Sequence, residues 1–305
     1  MNSLLILISN FFISFSLTKF IIFPFKKLIP DYPNKRSAHK KIKPRGGGLA
    51  FILTNLISSS LFKQSNFIFL IPLSILSLID DINDINQWIR FLMQTFTATY
   101  IVFSSNFFSS LDLSMNLILK IFLIILLIFI STAFINFCNF MDGLDGLLAG
   151  LIVVFLFSSI TLIFGSVFGL IGSLLGFLIW NWHPAKIFMG DVGSNFLGGV
   201  FVWTILNTNE VSNSIVLILI ALPLILDPFV CLLRRLIAKQ NIFEAHSLHT
   251  YQRLIRGGLS ERQVVMFYIF SSSSISLSFF YGGLNTEIVV ALINLSFSIL
   301  LEKNF

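Results

Sequence analysis

Carboxylates grouped with amides and glycines are the residues of this chain best suited to chemistry. Asp142 and Asp145, with Asn136 and Asn139, fall in NFCNFMDGLDGLLAG, residues 136–150, between two strongly apolar runs. Three positions separate the members of each pair, so a helical turn would bring each pair onto one face. Gly143 and Gly146 allow a tight turn or a close approach to a ligand. A helix cap needs one short polar residue, and this stretch carries four. A second acidic group, Asp80, Asp81 and Asp84, lies in LIDDINDINQWIRF. Its i,i+3 and i,i+4 spacings predict one narrow helix face, where ionised carboxylates repel unless a cation or solvent relieves them. Asp191 stands alone between Gly190 and Gly193, a setting in which an aspartate is ordinarily a turn or cap residue. Beside it, Phe188 and Trp180 or Trp182 offer aromatic faces on which a nucleobase can stack.

Cations accompany these acids. In NKRSAHKKIKPRGGGLAF, Arg45 precedes Gly46, Gly47 and Gly48 at the start of an apolar segment. Backbone N–H groups at such a helix start can hold an anion; a hinge with a lipid-facing basic patch is the other reading. In EAHSLHTYQRLIRGG, His246 and His249 are at i,i+3, and so are Arg253 and Arg256. A zinc pair would want a third ligand that this segment lacks, so a pyrophosphate clamp fits better. Asp227, inside LPLILDPFVCLLRR, calls for a polar partner, and Arg234 is two helical turns away.

The elements that must position these groups are membrane helices. The chain has 305 residues, 56% of them hydrophobic and 11% charged, with a mean hydropathy of +0.91; soluble domains are about 25% charged. Apolar runs of spanning length predict an all-α polytopic bundle of about 10–11 helices in one domain. They lie near 3–25, 46–62, 67–79, 88–105, 116–137, 147–164, 166–181, 195–207, 214–233, 263–280 and 286–302. The first reads as a retained helix, without the basic start and small-residue cleavage site of a signal peptide. Cys138 and Cys231 read as small buried hydrophobes.

Alternating the helices across the bilayer collects the basic residues on one side, with only Lys63 and Lys120 of the 20 at the other. By the positive-inside bias the basic side is cytoplasmic. Asp80, Asp81, Asp84, Asp142, Asp145 and Asp191 all fall on that side, at helix ends. Carboxylates converging beside a basic surface have the composition of a magnesium and phosphate site. An ion-transport pathway would instead place its acids near the midplane, in interrupted helices repeated in both halves.

The ordered set PRGGGLA, DDxxD, NFxDGxDGL, MGDxGSxxLG and HxxHxYQRL, spanning about residues 35–262, resembles the polyprenyl-phosphate N-acetylhexosamine-1-phosphate transferases, the WecA/MraY-type superfamily. Asp84 after the acidic pair, His246 and His249 in place of a run of histidines, and the stretch His39–Gly48 are similar to the bacterial branch acting with N-acetylglucosamine, N-acetylfucosamine or N-acetylquinovosamine. The phospho-N-acetylmuramoyl-pentapeptide transferases are the alternative branch. The resemblance implies transfer of a sugar-1-phosphate from a UDP-N-acetylhexosamine to polyprenyl (undecaprenyl) phosphate, releasing UMP, at the first membrane step of O-antigen or a related glycan. It further implies a bacterial inner-membrane enzyme whose site faces the cytoplasm, a Mg²⁺ cofactor (with Mn²⁺ as substitute), a homodimer, and no nucleic-acid partner. Carried over by position, Asp191 is the Mg²⁺ ligand, with Asn139 beside it. Asp80 and Asp81 serve the acceptor phosphate, with Asp80 the candidate base and Asp84 next to them. Asn136, Asn139, Asp142 and Asp145 line the nucleotide stretch, with Asn181 and Phe188 near the uridine. Arg45, Gly47, Gly48 and Arg253 bind phosphate, and His246 and His249 meet the diphosphate or sugar.

Overall fold

The computed structural model describes residues 2–33, 42–62, 64–111, 116–163, 165–240 and 248–304. It is a polytopic membrane bundle of helices with a single two-residue strand pair among the described residues. Asparagines start several of the helices. The side chains of Asn2, Asn86 and Asn116 accept the N–H two residues on and so cap α1 (Ser3–Leu28), α4 (Gln87–Phe103) and α6 (Leu117–Met141). Between α1 and α2 (Gly48–Phe62), β1 (Pro30–Asp31) pairs antiparallel with β2 (Lys43–Pro44). That pairing sets Asp31 beside Arg45, with 2.6 Å between Oδ1 and Nη2.

α9 (Gly190–Leu206) is the central post, buried on nearly every side. Around it stand α2, α3 (Ile71–Ile82), α4, α6, α7 (Leu147–Ser159) and α10 (Val211–Ile220), while α1 lies along α8 (Phe168–Asn181). A helix so enclosed can be short and rich in small residues, because its neighbours rather than lipid solvate it.

α1, α6 and α13 (Glu261–Asn304) are long and apolar enough to cross a bilayer unaided. The predicted 214–233 helix is two pieces, α10 and α11 (Leu222–Ile237), bent by 70°. Pro223 at the start of α11 cannot donate to the α10 ladder, which explains the break. The last two predicted helices are the arms of α13. Its 44 residues would extend about 66 Å if straight, but Gly283 is non-helical (φ 73°, ψ −171°). The arms fold back on each other there: Asn294 Nδ2 donates to Ser274 Oγ at 3.2 Å, and the Phe267 and Phe297 rings lie 5.8 Å apart. Two short helices, α5 (Asn106–Ser109) and α12 (Thr250–Arg256), complete the set, and α12 has no counterpart in the sequence reading because it is too short for a span. Cys138 and Cys231 form no disulfide with each other and are both buried, as expected.

Candidate active site

Asp81 begins the site by ending a helix and starting another. It lies one residue before the end of α3, and its two carboxylate oxygens accept the N–H groups of Asp191 (3.0 Å) and Val192 (3.1 Å). This is a side-chain cap on the positive end of the α9 dipole. It fixes the backbone of Asp191. Gly190 turns into α9 with φ +76°, a conformation that favours glycine, and a Cβ there would stand 2.6 Å from Asp81 Oδ2.

Asp80, buried, is held by two donors: Ile85 N–H at 2.7 Å and Arg90 Nη1 at 2.7 Å. The same Arg90 nitrogen lies 3.4 Å from Asp191 Oδ2, so one guanidinium bridges two carboxylates. Behind them runs a polar chain linking four helices. Asn136 Nδ2 donates to Gln94 Oε1 (2.7 Å), Gln94 Nε2 to Asn195 Oδ1 (2.9 Å), and Asn195 Nδ2 to Ser77 Oγ (3.0 Å). Inside a membrane bundle such a closed network fixes the register of its helices.

Asp142 joins the group electrostatically. It is the C-cap of α6, its N–H bonded to the carbonyl of Asn139 at 3.2 Å. Burial first, then the Asp191 and Asp81 carboxylates, push the Asp142 carboxyl well above its usual range, and Arg45 opposes them. Neither the Asp142 carboxylate nor the Asn139 side chain has a partner among the described residues. Asp80, Asp81, Asp142 and Asp191 thus form an all-oxygen set rich in negative charge. That donor chemistry fits a hard divalent cation such as Mg²⁺. Among the described residues, Asp145, His183 and Glu261 are the one group of three or more whose ligand atoms all lie within 4.8 Å of one another, a closeness the four aspartates do not reach. There Lys43 Nζ lies 3.3 Å from Asp145 Oδ2, as Arg90 lies between Asp80 and Asp191, so each group already carries one cation; the aspartate set differs in offering oxygen donors alone.

Asp145 belongs to that second neighbourhood. Its Oδ2 also accepts Ala185 N–H (2.8 Å), and His183 Nδ1 lies 3.3 Å from it and 3.0 Å from Glu261 Oε2. Lys43 additionally sits 4.8 Å over the Phe188 ring. Asp145, Lys43 and Phe188 thereby make a charged and aromatic wall beside the carboxylates.

Several expectations are corrected. Asp84 does not share a helix face with Asp80 and Asp81: α3 ends at Ile82, Asn83 is extended, and Asp84 is exposed. α6 likewise ends at Met141, so Asp142 and Asp145 are loop residues that diverge rather than a pair on one turn. The glycine triplet is no open anion cradle, because Gly47 and Gly48 N–H groups are bonded to the Phe188 and Met189 carbonyls at 2.9 Å each. Its glycines serve close approach instead: a Cβ on Gly48 would stand 2.3 Å from Gly193 Cα. Asn181 accepts Gly146 N–H and donates to the Ile187 carbonyl, which makes it a brace under the 182–188 loop. Trp180 offers no open face, since it stacks on Phe15 at 5.1 Å with Lys186 over its ring. Arg45 pairs with Asp31, yet it stays close enough to Asp81 and Asp142 to lower both carboxyls, so its expected place beside the site is not overturned. Arg253 Nη1 lies 2.8 Å from Glu302 Oε1, on a cavity whose walls contain none of the four clustered carboxylates.

His249 precedes α12 rather than lying on it, and its i,i+3 partner His246, like His39, lies outside the described residues. His249 is nonetheless held firmly. Its Nδ1 is 3.1 Å from Asp227 Oδ1, and that carboxylate also accepts Thr250 N–H, Tyr251 N–H and the Tyr268 hydroxyl. The Tyr251 hydroxyl reaches the Phe140 carbonyl, which seats α12 on the end of α6 next to Asp142.

Arg90, Lys43 and Gln94 are the residues that sequence reasoning missed, while Asp227, singled out for wanting a polar partner, finds it in His249 rather than in Arg234. Arg90 and Gln94 left a signal: a cation and an amide one turn apart in an apolar helix, which demand a polar partner.

Comparison with known proteins agrees with this architecture. The model of glycosyl transferase family 4 matches residues 64–209. A probable undecaprenyl-phosphate N-acetylglucosaminyl 1-phosphate transferase of Bacillus subtilis is 34% identical over 302 residues, covering 87% of this chain and 84% of the relative. An undecaprenyl-phosphate alpha-N-acetylglucosaminyl 1-phosphate transferase of Thermotoga maritima is 34% identical over 251 residues, 80% of each chain. A phospho-N-acetylmuramoyl-pentapeptide-transferase of Staphylococcus aureus is 30% identical over 259 residues, 73% of this chain and 79% of the relative. With one of these relatives matched along most of both chains, and the family model covering the segment that carries Asp80, Asp142 and Asp191, this chain belongs to glycosyl transferase family 4.

Proposed function

We propose that the chain transfers N-acetylhexosamine-1-phosphate from a UDP-sugar to polyprenyl phosphate on the cytoplasmic face of a bacterial inner membrane. An oxygen of the lipid phosphate attacks the sugar-bearing phosphorus. A P–O bond forms to the lipid, the bond to UMP breaks, and UMP leaves. The acceptor phosphate is largely ionised near neutral pH, so catalysis rests on positioning and charge rather than on strong base action. The observation that carries this reading is the meeting of Asp80, Asp81, Asp142 and Asp191, from three separate segments, with Arg90 bridging Asp80 and Asp191.

In this mechanism Asp81 acts through the backbone: it anchors the start of α9 and presents Asp191. Arg90 sets the spacing of Asp80 and Asp191 and lends a cation to phosphate oxygens. Asp80, whose two oxygens take the Ile85 N–H and Arg90, orients Arg90 and the incoming phosphate. Asp191, with Asp142 near it and Asn139 one turn before Asp142 at the end of α6, would hold Mg²⁺, whose role when bound is to neutralise charge on the diphosphate. Lys43, Asp145 and Phe188 form the wall for the uridine, and Asp227 keeps His249 turned toward the end of α6.

The test is release of UMP from UDP-N-acetylglucosamine by the purified chain, with the lipid product identified by mass. Transfer with UDP-N-acetylglucosamine and not with UDP-N-acetylmuramoyl-pentapeptide supports the glycan-initiating branch. The reverse preference assigns the chain to the other branch, which the Staphylococcus aureus relative represents. The O-antigen role is part of the proposal and follows the choice of donor.

A further inference from the structure

Two cavities outside the carboxylate site meet at a pair of arginines. The larger, about 550 Å³, runs between α11 and the two arms of α13, with walls that include Leu226, Val230, Phe267, Ile275, Leu295 and Ile299. Ile299, 47% exposed, marks where this groove reaches the outer surface of the bundle. The smaller, about 450 Å³, is lined by Arg234, Arg253 and Arg256 with Gln240 and Leu248. Arg234 and Arg253 belong to both linings. Between them sits Glu302, from the last turn of α13, paired with both nitrogens of the Arg234 fork and with Arg253. Asp80, Asp81, Asp142 and Asp191 line neither cavity.

We propose that the two compartments are one binding site for an anionic membrane phospholipid, its chain in the α11–α13 groove and its phosphodiester at Arg234 and Arg253. An apolar groove at the surface of a membrane bundle suits an alkyl chain. A guanidinium fork suits phosphate oxygens, and basic pockets between membrane helices are a recurrent seat for anionic headgroups. The charge selects among lipids. Among the described lining residues, the three guanidiniums of Arg234, Arg253 and Arg256 against the two carboxylates of Glu302 and Asp227 leave a single net positive charge. That matches the one negative charge of a phosphodiester better than a terminal phosphomonoester, which carries about −1.5 to −2 near neutral pH. Thr250 and Asp227 also line the groove, so an occupant would clamp α11, α12 and α13 together beside the His249 anchor.

The full chain, purified in detergent and stripped of co-purifying lipid, is titrated by native mass spectrometry with phosphatidylglycerol, phosphatidylethanolamine or polyprenyl phosphate. Phosphatidylglycerol should bind about tenfold more tightly than phosphatidylethanolamine, and Arg234→Gln should remove most of that preference. Glu302→Gln should move it the other way, strengthening phosphatidylglycerol binding, which a purely structural role for the ion pairs would not do. Ser298→Phe, which fills the groove, should weaken both phospholipids while UMP release continues. Equal binding of the two phospholipids by the unmodified chain overturns the proposal. So does a preference that neither charge variant moves. Displacement of phosphatidylglycerol by equimolar polyprenyl phosphate gives the groove to the acceptor and overturns it as well.

Discussion

Arg90 concentrates the chemistry of single residues in this molecule. Its one nitrogen, 2.7 Å from Asp80 and 3.4 Å from Asp191, sets the distance between two carboxylates that come from different helices. Lysine keeps the charge but not the planar fork. Arg90→Lys should therefore lower kcat about 10²-fold, the scale of a misplaced catalytic group, with little change in unfolding temperature. Asp191→Asn should lose about 10²–10³-fold or more in turnover, comparable with removal of one preorganised electrostatic group, while the protein stays folded; near-normal turnover at saturating Mg²⁺ would sink its role. The Asp142 carboxyl, raised by burial and by its neighbours, gives a signed pH prediction. A cation binds the ionised form, so protons compete with it, and its affinity should fall as pH drops through the raised value. The sign for stability is opposite: without metal, ionising a carboxyl whose folded pKa is raised destabilises the fold as pH rises. Calorimetric Mg²⁺ titrations between mildly acidic and neutral pH check this, and affinity independent of pH would contradict it. At this scale the sequence was informative about which residues carry charge and less so about their partners. Asp80, Asp81, Asp142 and Asp191 stood out because carboxylates at the ends of apolar runs need a reason to be there. The bonds that Gly47 and Gly48 make to the Phe188 and Met189 carbonyls depend on chain folding over more than a hundred residues, and no local spacing encodes them.

Helix ends are the elements that do the positioning. Asp81 caps α9, Asp142 closes α6, and Asp227 receives the first N–H groups of α12. Each places a functional side chain within one residue of a helix terminus, where the backbone is rigid and its dipole is exposed. Gly190→Ala should therefore disturb α9 twice, through its positive φ and through a Cβ 2.6 Å from Asp81. The conformational part alone costs about 1–2 kcal/mol, and thermal unfolding in detergent should show it together with lost activity. Asp227→Ala leaves His249, the Tyr268 hydroxyl and two backbone N–H groups without their acceptor. Breaking a buried pair typically costs about 3–5 kcal/mol, so this variant should unfold well below the unmodified chain. Asp227→Asn, which keeps the shape, should fold and show an altered pH profile of transfer. Helix ends also explain where the sequence reading slipped. Periodicity extended the 67–79 run toward its acids, yet α3 stops at Ile82 and strands Asp84 in an exposed turn. α12, seven residues long, is too short for any hydropathy window.

The whole molecule is an apolar bundle with its polar chemistry gathered at one end. The class was legible at once, because 56% hydrophobic residues and long apolar runs leave no soluble alternative. The arrangement was less so: a central α9 that touches most of the other helices, a span bent by 70°, and a C-terminal hairpin hinged at Gly283 arise from packing between segments far apart in sequence. That packing brings α3, α6 and α9 together and makes one site of residues 80, 142 and 191. The account's central claim is that these carboxylates jointly run a sugar-phosphate transfer to a lipid. The most direct measurement is the yield of UMP and lipid-linked sugar from UDP-N-acetylhexosamine, with acceptor and Mg²⁺ each supplied or withheld, for the unmodified chain and for Asp80→Asn, Asp142→Asn and Asp191→Asn. The account predicts one UMP per lipid product, formed only with acceptor and cation both present and lost in all three variants although each remains folded. UMP formed without the lipid acceptor, or undiminished transfer in any of the three, would contradict it.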